Sequence, residues 1–218
     1  MKMNTPDYLI YIELAKLIYT KDICPSLAAM LLCVSLGASN HPLGIPVIVN
    51  KYLNTVESLE EKIQWVEYTR NAIMKSTAIC GIARGINSHG ALFNSLPKEY
   101  QDLLSKTPTL DKEVNEWIPR SLELLDTVYG DSLDRVLGNV KAIGSDLYFW
   151  AFFVYGNVFY NRSLTNLIET ELVIIATLIQ MDTLPQLHDH LDNARRVGAT
   201  DVQVTATQLI GNSVKNAF

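Results

Sequence analysis

"ETELVIIATLIQMDTLPQLHDHLDNARRVGAT", residues 169–200, decides the fold. From Leu172 to Ile179 only Thr177 interrupts an apolar run, which reads as a helix buried on most sides. A tight break follows, then a second helix that Gly198 closes. Thr183-Leu-Pro-Gln186 has the form of a capping box, with a hydroxyl at N-cap and Gln at N3. Pro185 falls in the first turn, where a missing N–H costs nothing. Two helices joined by so short a break fold back as an αα-hairpin. Glu171 lies about two and a half turns before the break and His190 about two turns after it, so antiparallel packing sets them at similar heights. A carboxylate among apolar residues needs a partner, and His190 is the natural one. The bland alternative is a helix-start carboxylate that gains about 0.3–1 kcal/mol from the helix dipole.

Helical periods continue outward from this hairpin. They predict helices over about 5–19, 26–37, 44–53, 58–80, 84–94, 97–105, 119–128, 131–141, 145–160, 166–181, 184–197 and 201–215. Ser58-Leu-Glu-Glu61 and Thr200-Asp-Val-Gln203 are further capping boxes. No alternating run bounded by Asn-Gly or Asp-Gly turns suggests a sheet. The expected class is all-α. A weak internal repeat at an offset of 145 lays residues 26–40 over 171–185 as an apolar helix followed by a break. The polar positions do not repeat, because Ser26 stands where Glu171 does and Ile45 where His190 does. Two degenerate repeats of a helical-hairpin unit are therefore expected, at 1–105 and 119–218, joined by the polar stretch around 105–119 and free to pack as one domain.

The chain has 218 residues, 48% hydrophobic and 19% charged, enough to bury a substantial core. A net charge of −5 argues against a nucleic-acid or anionic-membrane surface as the main partner. Cys24, Cys33 and Cys80 form no CxxC pair, so no disulfide framework, zinc site or other cofactor site is expected. His188 and His190 lie about 200° apart on a helix and cannot grip one metal ion. The apolar runs fall short of a membrane span. Cytoplasm is the default compartment. Mitochondrion and peroxisome are the alternatives, although the terminal Asn-Ala-Phe218 is not an SKL-type peroxisomal address.

The segment 145–203 resembles the carboxymuconolactone decarboxylase and alkylhydroperoxidase D family. It carries that family's run of Asp-Leu, Tyr-Gly, Arg-x-Leu, Glu-Leu and Gln-Leu-x-x-His, then an Ala and Gly-Ala-Thr. The stretch 70–92 looks like a second family segment, with Ala83 in place of a proline. The resemblance implies an all-α fold of helical hairpins that assembles as a homo-oligomer. It also implies a catalytic His190 with Glu171 as its orienting carboxylate. The peroxidase branch has a CxxC at positions that here are Thr183 and Gln186, so its thiol chemistry is absent; Cys33 and Cys80 belong to no redox pair. The decarboxylase branch lacks the CxxC and keeps the His. A small carboxylated or lactone substrate is therefore expected, with Arg162 of Arg-x-Leu, Gln186 and Trp150 as binding residues. Trp150 belongs to "YFWAFFVYGNVFY" (148–160), whose eight aromatics suit a core, a subunit interface or the wall of an apolar pocket. The rival expectation is a non-catalytic oligomeric scaffold of the same fold.

Overall fold

A run of apolar residues without polar relief must be covered on every side, and two such runs set the architecture. A computed structural model describes residues 5–107, 110 and 116–218, and among these there is no strand. The helices are α1 (Thr5–Ala15), α2 (Pro25–Ala38), α3 (Ile45–Leu53), α4 (Leu59–Cys80), α5 (Ile82–Asn94) and α6 (Lys98–Leu103). After them come α7 (Trp117–Tyr129), α8 (Leu133–Ile143), α9 (Ser145–Phe153), α10 (Leu167–Met181), α11 (Leu184–Arg196) and α12 (Asp201–Lys215). Much of the expected linker at 105–119 lies outside the described residues.

Every residue of α2 from Leu27 to Ala38 is buried, and so is α10 from Thr170 to Ile179. The two pack on each other, and α4 and α12 cover both. Leu172, Val173, Ile175, Ala176 and Ile179 face this main core, together with α2, α3 and α12. Ile174 and Leu178 face a second cluster built from α7, α9 and the turn after α9. α10 is thus a shared wall, and the stretches before and after the linker meet on it.

Helix ends follow local chemistry. Thr200 and Gln203 cap α12 reciprocally, and the Ser58 hydroxyl accepts from the Glu61 amide at 3.3 Å. Asn166 and Glu169 form a reciprocal box that the periodicity did not single out. The box expected at Thr183 does not form. Asp182 takes the left-handed conformation (φ 56°), and Thr183 follows at φ −94°, ψ 69°, outside the extended geometry that aims an N-cap hydroxyl at the N3 amide. Its Oγ1 is buried without a hydrogen-bond partner.

The expected helix at 145–160 is two pieces. α9 ends at Phe153, and Val154–Phe159 form one widened π-turn. This turn brings Gly156 against the start of α7, so close that a Cβ there would lie 2.0 Å from the Trp117 carbonyl oxygen. Only a glycine permits that backbone approach. Gly156→Ala is expected to cost about 1–3 kcal/mol, the usual penalty of overpacking. Urea unfolding of the two proteins measures it, and equal midpoints would mean that α7 yields freely.

Candidate functional site

The hairpin of α10 and α11 joins Glu171 and His190. His190 Nδ1 lies 2.7 Å from Glu171 Oε2, with exposures of 6% and 1%. An ionised carboxylate only accepts, so in this bond Nδ1 carries the hydrogen and donates it. The neutral ring then has its lone pair on Nε2, the form that takes up a proton. The Tyr129 ring stands edge-on to the imidazole, with centroids 6.2 Å apart. Its hydroxyl is 2.8 Å from that of Tyr155. Burial pushes the Tyr129 phenol up to about 12 and the Tyr155 phenol well above its ordinary value, so both stay protonated at neutral pH. One turn after His190, the Asn193 amide nitrogen, turned toward them, donates to the carbonyls of Val128 at 2.8 Å and Asp189 at 3.1 Å. These contacts tie α11 to α7 beside the imidazole.

The other expected site residues lie outside this contact. Gln186 and His188 are exposed on α11. Trp150 is 53% exposed and stacks on Phe153 at 5.3 Å. Arg162 is exposed, with its guanidinium 5.3 Å from the centre of the Tyr160 ring. Cavities of about 290, 320, 630 and 700 Å³ have neither Glu171 nor His190 in their walls. Among the described residues, no three His, Cys, Asp or Glu side chains are grouped to hold a metal ion, and no helix is long and apolar enough to cross a membrane. Cys33 is fully buried, and burial pushes its thiol well up; burial also raises the Cys80 thiol.

Sequence reasoning missed Lys75. It is fully buried in α4 and donates to Thr170 Oγ1 at 2.6 Å and to the Asn161 carbonyl at 2.8 Å. Burial lowers the ammonium to about 7; Glu169 and Glu171 oppose that shift, and Arg162 adds to it. One signal was available. Lys75 is the sole charged residue between Arg70 and Arg84, in the C-terminal part of α4.

No family model matches the chain, and no solved structure matches it. Peroxisomal protein 2 of Schizosaccharomyces pombe is 30% identical over 179 residues, which cover 81% of this chain and 80% of that protein. Peroxisomal protein 2 of Saccharomyces cerevisiae is 26% identical over 162 residues, 64% of this chain and 57% of that one. Fold and site define an all-α protein with a carboxylate–imidazole pair buried inside a helical hairpin. The chain belongs to the family of Peroxisomal protein 2.

The Lys75 environment has a consequence for stability. Between pH 7 and the ordinary lysine range, the unfolded chain holds a proton that the folded chain has released. Stability therefore rises with pH through that window. Unfolding free energies from pH 7 to 10 are expected to climb in the parent relative to Lys75→Met. Parallel profiles would mean that Lys75 keeps its proton in the folded state.

Proposed function

We propose that the protein is a peroxisomal enzyme of the carboxymuconolactone decarboxylase type, working by acid–base chemistry on a small carboxylated or lactone substrate. His190 accepts or donates the proton through Nε2. Glu171 fixes the ring's tautomer and stabilises the imidazolium form. One observation carries this reading: the 2.7 Å bond between two side chains that are both almost without solvent. A buried carboxylate is costly and needs a hydrogen-bonded partner, which His190 supplies. Arg162, Gln186 and Trp150 are surface groups available to the substrate's carboxylate or ring. The compartment rests on the names of the two relatives. The alkylhydroperoxidase D-like repeat is supported by α2 and α10, which stand in corresponding places as buried central helices. Peroxidase chemistry is disfavoured by the raised thiols of the buried Cys33 and the half-buried Cys80.

A second reading, a non-catalytic scaffold, is favoured by the cover over the pair. The four cavities described above leave it out. Assay separates the two readings. Release of carbon dioxide or opening of the ring is followed over a panel of small lactones and unsaturated carboxylic acids. Glu171→Gln and His190→Gln are each expected to lower turnover by about 10²–10⁴-fold, the range for a positioned acid–base group. No turnover by the folded parent across the panel favours the scaffold.

A homo-oligomer is the second part of the proposal. Ile143, Leu147, Phe149 and Trp150 on α8 and α9 are 76%, 47%, 59% and 53% exposed, and Ile118 and Leu122 on α7 add 52% and 44%. So much apolar surface on neighbouring helices fits burial against a second copy. Light scattering is expected to give a multiple of the 24.4 kDa chain mass, falling toward one copy in Trp150→Asp. A parent at one chain mass at micromolar concentration refutes the assembly.

A further inference from the structure

The face that α1 and α3 turn outward is a trough with unlike ends. Tyr8, Ile12, Lys16 and Tyr19 recur at helical spacing along α1 and the 3₁₀ turn that continues it (Lys16–Tyr19), and all four are exposed. The opposite stripe, Tyr11, Leu14, Ala15 and Ile18, is buried in the main core. Two contacts lay α3 alongside. Gly44 meets the Tyr11 ring, where a Cβ would lie 2.5 Å from Cδ1, and the Lys51 ammonium lies 5.6 Å from the centre of the Tyr19 ring. The two helices therefore run in the same direction, with α3 beginning beside Tyr11 and ending beside Tyr19.

The trough encloses about 630 Å³, within the range of about 300–1,000 Å³ usual for small-molecule sites. Its walls separate by chemistry. Tyr8, Ile12, Pro46 and Val47 make one end apolar, whereas Lys16, Tyr19, Asn50 and Lys51 make the other polar and basic. The two lysines differ. Lys16 is held by both carboxylate oxygens of Glu13, at 2.7 and 2.6 Å. Lys51 makes no ion pair among the described residues, and its ammonium rests over the Tyr19 ring. A lysine in the last turn of α3 complements the helix dipole. The dipole explains the charge and leaves the apolar end without a purpose. An elongated molecule with an apolar tail and an anionic head explains both. Its tail and the apolar end shield each other from water, and its head accepts from the Lys51 ammonium and the Asn50 carboxamide.

We propose that the trough between α1 and α3 is a binding site for an amphipathic carboxylate, whose tail lies along Ile12 and Val47 and whose head is held at Lys51. Neither wall carries a residue of the Glu171–His190 pair, so the site is separate from the proposed acid–base chemistry and stands whether or not the protein is an enzyme. A net charge of −5 opposes an anionic bilayer as the occupant. One small anion needs only the local charge of Lys51.

The test is calorimetric titration of the full chain with decanoate below its micelle-forming concentration, followed in parallel by methyl NMR. Saturable binding of one decanoate per chain is expected, with movement of the Ile12 and Val47 methyl signals. Decyl alcohol has the same tail without the charge, and butanoate has the same head with little tail; each is expected to bind more weakly. Lys51→Glu is expected to weaken decanoate about fivefold or more, the scale of an exposed ion pair lost and reversed, and to leave decyl alcohol unchanged. Ile12→Asp is expected to weaken both. Ile12 and Lys51 are exposed, so both variants keep the core intact. Absence of decanoate binding overturns the proposal, and so does binding that leaves the Ile12 and Val47 signals in place. Equal affinities for decanoate and decyl alcohol, or an equal response of the two to Lys51→Glu, overturn it as well. Two further results would give the trough to another occupant and overturn it. One is sedimentation with phosphatidylglycerol vesicles that Lys51→Glu abolishes, in a parent that binds no free decanoate. The other is an assembly mass that falls in Ile12→Asp, again without decanoate binding by the parent, which assigns the face to a second copy.

Discussion

Glu171 sits in a helix whose flanking positions, Thr170 and Leu172, are as buried as it is, so its carboxylate has no water to turn to. Such a group needs a donor at hydrogen-bond distance, and the donor comes from the next helix. That requirement fixes the hairpin in two ways. It sets the register of α11 against α10, because only one turn of α11 lies level with Glu171. It also sets the rotation of α11, because His190 must face inward and thereby turns His188 to solvent. Asn193, one turn on, then falls where it holds α7, and α7 carries Tyr129 to the edge of the imidazole. The second core cluster is organised around this chain of contacts.

The side of α10 that faces α4 obeys the same constraint with different residues. Threonines along the helix pair with Lys75 and Ser76 of α4, and the loop before α10 supplies Thr165 and the Asn161 carbonyl. Each pair satisfies a polar atom that the apolar core would otherwise strand. The helix is thus apolar toward α2 and α12 and polar toward α4, and it presents one ionised group to α11. A single helix serves as the floor of the core and as the frame of the site.

Much of this was legible in the residues. The apolar run of α10, the break at 182–183 and the Thr200 box define the last three helices, and α12 spans 201–215 as its periodicity implies. The proximity of Glu171 and His190 follows from counting turns on either side of the break. Other features were hidden for identifiable reasons. The Asn166–Glu169 box went unread because periodicity counted Asn166 as the first helical residue rather than its cap. Thr183 has the composition of an N-cap, but the left-handed Asp182 before it decides its geometry. The π-turn at 154–159 leaves no mark in a run where nearly every residue is apolar or aromatic. Lys75 reads as a solvated charge until its helix is known to be covered on that side as well. Charge within a single helix does not reveal which neighbours will enclose it.

The burial of α2 has a consequence for the order in which the chain is made. α2 ends at Ala38, whereas α10 and α12, which cover it, begin only at Leu167 and Asp201. On the ribosome, α2 emerges well over a hundred residues before its cover. Through that interval an almost wholly apolar helix has only its near neighbours in the first half of the chain to lean on. The core closes only once α12 has emerged. A chain truncated before α12 leaves the α12-facing side of α2 exposed and fit for capture by chaperones.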